Sequence, residues 1–265
     1  MNASSEFWDR LAPHHAALEN SYFDLPSVRR IIHAIHEPAL IVGAGQGLIV
    51  AELRRRGMRC DGVDSSPEMI KYAKIRRGID LVQADARAMP FQDGTYRTVL
   101  YATGVIDFMT DDEDIRLALN EGKRIADQSG RRFVAFYRMS AGNEELLLRL
   151  GLLSDHVLHY REIMEIYRLN PLRAIAWAAK KGNITYFRSA MWTLRAGIFS
   201  TWQEKRNAFR LQRVFTDPAA ADILIQSAPE KQSYRNEAEI RNLFARLTIP
   251  IKQIESLANC RIVET

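Results

Sequence analysis

The sequence predicts an α/β fold in which helices flank a mostly parallel sheet. Between residues 38 and 137, short apolar or β-branched runs alternate with longer amphipathic stretches, the pattern of consecutive strand–helix–strand units. Gly43, Gly45 and Gly47 stand at every second position between the first such run and the first amphipathic stretch, where the chain must turn tightly from strand to helix. With 265 residues, 47% of them hydrophobic, the chain can bury a substantial core, so disorder as its main state is excluded.

The strands and helices of this segment follow one another in a regular order. Strands are predicted over residues 39–43, 59–64, 80–85, 98–103 and 132–137. Helices are predicted between them, over residues 48–56, 67–77 and 112–127. Ser66 is expected to cap the second helix, with Pro67 at its first position. Three glycines are expected to mark helix exits: Gly57, Gly78 and Gly130.

Residues 141–230 interrupt this alternation with a stretch that reads as helical. The α/β pattern resumes with a helix over 236–247 and strands over 249–257 and 260–264. The sequence therefore predicts three parts: an N-terminal helical cover with the α/β core (1–140), a helical insertion that serves as an acceptor lid or interaction subdomain (141–230), and a final helix and β-hairpin that complete the sheet (231–265).

The positive charge of the chain is concentrated in residues 161–213. This stretch has 11 Lys and Arg against three Glu, a net charge of +8 in a chain whose total is +5, and three of the four tryptophans. Such a composition is typical of a helical surface that lies on anionic lipid, of a lid over an apolar acceptor, or of a helical cap with solvated charges. A peripheral membrane contact is therefore one expectation, and nucleic acid is disfavoured because no known binding motif is present.

Other features bound the compartment. Cys60 and Cys260 have no metal-ligand spacing and form no dense disulfide framework. The N-terminus lacks the basic start and apolar run of a secretory signal. The longest uncharged apolar stretch, 38–51, is shorter than the roughly 20 residues of a membrane-spanning helix. We expect a cytoplasmic protein with no metal site and no transmembrane segment.

The glycine loop and two acidic residues predict a nucleoside site. The loop reads G-x-G-x-G, whereas a dinucleotide fingerprint needs its third glycine where this chain has Leu48, and a P-loop needs Gly-Lys-Ser/Thr. Asp64 ends the second predicted strand, where its carboxylate is placed to accept both hydroxyls of a ribose. Asp85 ends the third, where it is placed to meet an adenine amino group.

These stretches resemble class I S-adenosylmethionine (SAM)-dependent methyltransferases of the small-molecule, quinone and lipid group. Such enzymes typically show a G-x-G-x-G loop, then GVD-S-P-M, then DA-x-x-LPF-x-D, and this chain has GVDSSPEM from Gly62 and DARAMPFQD from Asp85. The match covers residues 39–137 and returns in the last 35 residues. It implies a Rossmann-like seven-stranded sheet with a reversed last strand, and SAM as the cofactor with S-adenosylhomocysteine as its product.

The resemblance also implies which residues touch SAM. The methionine part would face Gly43, Ala44 and Gly45, in the loop completed by Gly47, and the ribose would face Asp64. The adenine would lie between Ser65 and Met69 on one side and Asp85 and Ala86 on the other. The floor beside the sulfonium would be formed by Ala102 and Thr103.

Two departures from the family pattern concern the cofactor. Two residues before Gly43 the family usually has Asp or Glu, which helps to hold the amino group of SAM, and this chain has Ile41. Because a charge-assisted hydrogen bond contributes about 1.5–3 kcal/mol, we expect weaker SAM binding or another group that holds the ammonium. The segment 7–15 is similar to an opening that folds over the cofactor in quinone and lipid methyltransferases, but His15 and Ala16 replace its usual Tyr and Asp.

Methyl transfer from a sulfonium depends mainly on positioning, and a base is needed only when the acceptor loses a proton. His15 is the first candidate base because imidazole titrates near neutral pH, and the alternative is an ordinary solvated pair with His14. Asp107, after the fourth strand, is the second candidate, and the alternative is that it caps the helix starting near residue 111. Further polar residues are weighed as substrate contacts or as packing and helix-face residues: Tyr137, Arg138, His156 and His159.

The sequence thus predicts a SAM-dependent methyltransferase with a small acceptor that is hydrophobic, aromatic or lipid-like. Two alternatives stay open: a different chemistry on the same cofactor fold, and a non-catalytic binding module. A nicotinamide reductase is disfavoured by Leu48 and by the motif at Asp85.

Overall fold

The structure is a computed structural model that describes residues 3–17, 31–109, 111–138, 153–154, 157–158, 232–233, 235–257 and 260–265. In these residues the helices are α1 (Ala3–Leu11), α2 (Leu48–Arg55), α3 (Pro67–Arg77), α4 (Asp112–Ile125) and α5 (Glu237–Arg246), with 3₁₀ turns at Ala12–Ala17 and Ile32–Ala34. The strands are β1 (Ala39–Val42), β2 (Cys60–Asp64), β3 (Val82–Gln83), β4 (Tyr96–Tyr101), β5 (Ala126–Tyr137), β6 (Leu153–Ser154), β7 (Val157–Leu158), β8 (Gln232–Ser233), β9 (Gln253–Ser256) and β10 (Cys260–Glu264).

Seven of these strands form one sheet in the order β3-β2-β1-β4-β5-β10-β9. Strands β1 to β5 pair in parallel, and β10 runs antiparallel to both β5 and β9. Parallel strands need crossover helices, which cover both faces of such a sheet. The predicted Rossmann-like α/β fold, with a reversed last strand, is therefore confirmed.

The core lies on the two faces of this sheet, and β1 shows how the sequence produces it. Its four residues are all buried. Ala39 and Ile41 pack in the cluster that includes Val50 and Leu53 of α2, whereas Leu40 and Val42 pack in the cluster that includes residues of α4 and α5. Because successive side chains point to opposite faces of a strand, a strand buried on both sides is apolar throughout.

The cluster memberships show which helices cover which face. Ala73 of α3 belongs to the same cluster as α2. Ile115 and Leu119 of α4 pack in the other cluster with Leu243 and Phe244 of α5. The described core is thus a three-layer sandwich of helices, sheet and helices, as the alternating sequence pattern predicts.

Most predicted boundaries agree with the structure to within a few residues. Ser66 caps α3 by accepting the backbone N–H of Met69, Pro67 lies in the first turn, and Gly78 ends the helix in the left-handed conformation. Asn236 begins α5 with a capping box shared with Glu239.

Two local predictions are wrong. Gly130 does not end a helix, because α4 stops at Ile125 and Ala126 is already extended, so the glycine lies inside the longer strand β5. The third strand, predicted over 80–85, is reduced to Val82–Gln83. It pairs only with β2 at the edge of the sheet, and the chain then turns, with the N–H of Ala88 donating to the carbonyl of Asp85 at 3.0 Å.

Contacts divide the chain into two compact units, Met1–Met139 with Gln232–Thr265, and Ser140–Lys231. Of the segment 141–230, predicted as helical, the structure describes β6 and β7, which pair antiparallel. The basic stretch 161–213, His156 and His159 lie outside the described residues.

Gly122 of α4 makes room for a buried tyrosine of β4. A Cβ at this position would overlap the hydroxyl of Tyr101 and lie 2.9 Å from its Cε2 atom. That hydroxyl donates to the carbonyl of Ala118 within the core. We expect Gly122→Ala to lower the free energy of unfolding by about 1–3 kcal/mol, because overpacking outweighs the better helix propensity of alanine.

Urea denaturation checks this expectation, with Lys123→Ala at the neighbouring exposed position as the control. Unchanged or increased stability of Gly122→Ala would mean that Tyr101 moves aside without cost.

Candidate functional site

A cavity of about 280 Å³ lies at the carboxyl ends of the parallel strands. Val42, Val63 and Tyr137, near the ends of β1, β2 and β5, are in its wall. The loops that follow β1, β3 and β4 also line it. Since ligands of open α/β sheets bind outside the carboxyl ends of the strands, this cavity is the candidate site.

Most of the residues that the resemblance assigns to the cofactor share this wall. They are Gly43, Ala44, Gly45, Asp64, Ser65, Met69, Asp85, Ala86, Ala102 and Thr103. Residues that are more than 20 positions apart in the chain are thus brought to one cavity by the pairing of the strands.

The glycine loop crosses the cavity as bare backbone. Gly43 has φ +71°, and a Cβ at this position would overlap Val105 of the loop that follows β4. The N–H of Ala44 donates to the carbonyl of Val63 at 2.9 Å, which ties the loop to β2. Gly43 is therefore required by its left-handed backbone and by the packing of Val105, and the close approach of a ligand to this glycine stays a prediction.

Gly47 differs from the other two glycines, because it does not line the cavity. It precedes α2 with φ +77°, and a Cβ would lie 3.2 Å from Cγ2 of Ile79 and 3.5 Å from Cβ of Ala73. The expected cofactor role of Gly47 is therefore corrected to a conformational one: it turns the chain into α2 where a side chain would press on α3.

Asp64 is held by backbone at the end of β2. One of its oxygens accepts the N–H of Gly45 at 2.7 Å, and the other accepts the N–H of Ser66 at 2.9 Å. Burial raises the pKa of this carboxyl above its ordinary value, and the two N–H groups act in the opposite direction. The carboxylate thereby joins the glycine loop to the start of α3 and still faces the cavity.

Asp85 is in a different environment. Arg87 donates from Nε and from its backbone N–H to Oδ1, and from Nη2 to Oδ2, over 2.7–2.9 Å. The Arg87 side chain, by hydrogen bonding, lowers the pKa of Asp85 below its ordinary value. Asp64 and Asp85 thus have opposite pKa shifts, one through burial and one through an ion pair.

The end of the cavity beside Ala102 and Thr103 is aromatic. A Cβ at Gly104 would lie 3.0 Å from the Tyr137 hydroxyl, and 3.7 Å from both the Phe108 ring and the Trp8 ring. The rings of Trp8 and Phe108 meet edge to face, with centroids 5.4 Å apart. The side chains of Trp8, Phe108 and Tyr137 line the cavity and form an aromatic wall next to the expected position of the methyl donor.

The N-terminal segment covers the other side. The Asp9 carboxylate accepts the Ser66 hydroxyl at 2.6 Å and the N–H of Glu68 at 3.1 Å, at the N-terminus of α3 where negative charge is favoured. Gln46 of the glycine loop, almost fully buried, donates to the carbonyl of Ala12 at 2.6 Å. His15 lines the cavity, and its Cε1 would lie 3.7 Å from a Cβ at Gly45.

Asp107, the second candidate for catalysis, is fully buried and does not line the cavity. Its Oδ2 accepts the N–H of Gly104 at 3.0 Å and of Tyr137 at 3.2 Å, so it joins the ends of β4 and β5. It does not cap α4 either, because Asp111 does so through the N–H of Glu113. The structure therefore gives Asp107 a positioning role behind the aromatic wall.

Ile41 is fully buried and packs in the core, outside the cavity wall. At this position β1 therefore contributes no carboxylate to the site. That another group holds the amino end of SAM stays a prediction.

Comparisons with known proteins agree with this geometry. Residues 39–130 match the family model described as "Methyltransferase domain". A ubiquinone biosynthesis O-methyltransferase of Xanthomonas axonopodis pv. citri is 24% identical over 204 residues, which are 68% of this chain and 82% of that protein. A demethylmenaquinone methyltransferase of Thermus thermophilus is 32% identical over 100 residues, which are 36% of this chain and 44% of that protein.

Solved structures agree at the level of the fold. A SAM-dependent methyltransferase of Thermotoga maritima has a TM-score of 0.53 at 12% identity, with 98% of this chain and 97% of that chain covered. The chain is thus similar to class I SAM-dependent methyltransferases in the segment that the family model matches and in its fold. A Rhodobacter sphaeroides protein assigned to the Zn-dependent alcohol dehydrogenases has a TM-score of 0.62 at 13% identity, with 100% and 97% covered; at such identities a likeness shows the fold alone.

Among the described residues, no group of three His, Cys, Asp or Glu side chains is placed to hold a metal ion. Within the same part of the chain, no helix is long and apolar enough to cross a membrane.

The residues of the cavity fit SAM. Gly45 leaves open the space that a side chain would fill, since the nearest atom to a Cβ there is Cε1 of His15 at 3.7 Å. Asp64 offers carboxylate oxygens suited to a ribose diol, and Met69 with Ala86 offers apolar surface for a base. When bound, SAM supplies a methyl group on a positively charged sulfur. Around it, the chain contributes position, charge and the exclusion of water.

Sequence reasoning missed several residues of this wall. Gln46, Arg87, Trp8 and Phe108 are among those that line the cavity. Each lies within or beside a motif that the sequence analysis singled out, so proximity to a motif was the available signal. Their direction toward the cavity depends on tertiary packing.

Burial raises the pKa of Asp107 to about 7, although the N–H groups of Gly104 and Tyr137 and the charge of Arg235 lower it. Its ordinary value is 3.8, so the folded protein holds this proton more tightly than the unfolded chain. The resulting stability is fully present below about pH 4 and is lost as the pH rises through about 7. Asp107→Asn has no such proton to lose. The difference between its free energy of unfolding and that of the wild type should therefore increase by up to roughly 1.4 kcal/mol per pH unit between about pH 4 and about pH 7.

Denaturant titrations of both proteins between pH 4 and pH 8 measure the difference. Parallel pH curves for the two proteins would contradict a raised pKa at Asp107.

Proposed function

We propose that this methyltransferase binds SAM in the cavity and methylates a small, hydrophobic aromatic acceptor, such as a phenol or quinol. The observation that carries the proposal is the convergence of Trp8, Phe108 and Tyr137 on Gly104, directly after Ala102 and Thr103. Aromatic walls favour flat apolar ligands through burial and edge or stacking contacts. Two sequence relatives, a ubiquinone biosynthesis O-methyltransferase and a demethylmenaquinone methyltransferase, support the same acceptor class.

In this proposal the chain acts mainly by positioning. Asp64 accepts the ribose hydroxyls, and the glycine loop lies against the methionine part. The aromatic wall would hold the acceptor ring next to the methyl group that SAM supplies when bound. His15 would accept the proton that the acceptor hydroxyl loses on methylation.

Calorimetric titration with SAM and with S-adenosylhomocysteine tests the cofactor part. We expect binding to the wild type, and at least tenfold weaker binding to Asp64→Ala, because hydrogen bonds to a charged group are lost. Asp80→Ala is the matched control, since Asp80 is an exposed acid after α3 that does not line the cavity.

Absence of binding to the folded wild type would refute the proposed cofactor site and favour a non-catalytic binding module. A folded state of Asp64→Ala is verified by its circular dichroism and thermal unfolding, because the variant also loses the acceptor for Gly45 and Ser66.

Methylation assays with hydrophobic phenols and quinols test the acceptor part. Trp8→Ala should raise the KM for the acceptor about tenfold or more, from the loss of aromatic burial, and leave the Kd for SAM within a factor of about three. If Trp8→Ala changes both constants equally, the aromatic wall does not select the acceptor.

A third comparison concerns the base. His15→Asn should lower kcat roughly 10²- to 10⁴-fold for a phenol, because the group that accepts the proton is lost. His14→Asn, next to it in the same 3₁₀ turn but outside the cavity wall, should keep the kcat of the wild type. An unchanged kcat in His15→Asn would exclude His15 as the base.

A further inference from the structure

Arg87 is the centre of a polar clamp at one wall of the cavity. Its side chain donates two hydrogen bonds to Asp85, at 2.9 and 2.7 Å. Its remaining terminal nitrogen donates to Asp114 in the first turn of α4, at 2.7 Å. All three side chains line the cavity, so the guanidinium is fixed between two carboxylates at the ligand surface.

The contacts of Arg87 with Asp85 and Asp114 hold the loop after β3, which the sheet supports only weakly. The strand before Asp85 is only two residues long and lies at the sheet edge. Further along the loop, Glu121 of α4 accepts the N–H of Met89 at 2.7 Å, and Arg124 donates to the carbonyl of Phe91 at 2.8 Å. The loop is therefore held by α4, and the contact between Arg87 and Asp114 holds its end at the cavity.

Counting acceptor positions shows what Asp85 has left to offer. A carboxylate has about four lone-pair sites. Oδ1 accepts two N–H groups of Arg87 and Oδ2 accepts one. One site, on Oδ2, is left for a ligand. It accepts a single hydrogen-bond donor, such as an exocyclic amino group, and repels a carbonyl oxygen.

We propose that Arg87 is a positioning residue that sets the base specificity of the cofactor site. By occupying three acceptor sites of Asp85, it fixes the carboxylate so that the remaining one selects a base with a 6-amino group over a base with a 6-carbonyl. The inference rests on the SAM site of the proposed function. It adds that Arg87 controls which base the site selects, by fixing the orientation of the Asp85 carboxylate.

The test compares the affinities for two ligands that differ only in this group, S-adenosylhomocysteine and its deaminated analogue S-inosylhomocysteine. Calorimetry gives the ratio of their dissociation constants for each protein. We expect the wild type to favour the adenosyl ligand roughly tenfold to hundredfold, the value of a hydrogen bond to a charged group. In Arg87→Met, which keeps an unbranched side chain without donors, the ratio should fall to about three or less.

Two further variants separate positioning from structural support. Arg116→Met is the matched control, because it removes an arginine of α4, the helix that carries Asp114. Arg116 pairs with Glu113 and does not line the cavity, so this variant should keep the wild-type ratio. Arg87→Lys keeps the charge but not the two-pronged contact, so its ratio should be intermediate.

The outcomes distinguish the two levels of the proposal. If the folded wild type binds neither ligand, the proposed SAM site fails and this inference fails with it. If the wild type favours the adenosyl ligand and Arg87→Met favours it equally, the SAM site stands and the role of Arg87 is overturned. A general weakening of both ligands at a constant ratio would assign Arg87 to structural support alone.

Discussion

Parallel pairing of β2, β1, β4 and β5 is the constraint on which the rest of the molecule depends. In a parallel sheet every strand ends at the same edge, so the segments after these strands must meet there. Residues as far apart in the chain as Gly43 and Tyr137 consequently line one cavity. The same pairing buries both faces of the central strands, and the burial that stabilises the sheet also fixes the geometry of the site.

Side-chain hydrogen bonds and an ion pair hold the parts of the cavity wall that lie outside the sheet. Asp9 and Gln46 attach the N-terminal segment to α3 and to the glycine loop, and Arg87 attaches the loop after β3 to α4. These contacts hold segments that have few ladder hydrogen bonds of their own. A neutral hydrogen bond contributes about 1 kcal/mol and one to a charged group about 1.5–3 kcal/mol, so several are needed where sheet pairing is absent.

The acidic residues of the site have separate roles because their surroundings differ. Burial raises the pKa of Asp64 and of Asp107, whereas the ion pair with Arg87 lowers that of Asp85. Asp64 and Asp85 face the cavity, and Asp107 lies behind it. One residue type thus provides two cavity-facing carboxylates with opposite pKa shifts and a buried link between β4 and β5.

The sequence by itself determined the fold class, most element boundaries and the cavity-facing residues of the motifs, because hydrophobic periodicity and strand-end positions are local properties. Gly47 and Asp107 were misplaced at sequence level, since the direction of a side chain depends on what packs against it: Ile79 in one case, and the N–H groups of Gly104 and Tyr137 in the other. Only the tertiary structure brought Trp8 to Phe108 and Arg87 to Asp114, because these partners are distant in sequence and no spacing rule connects them.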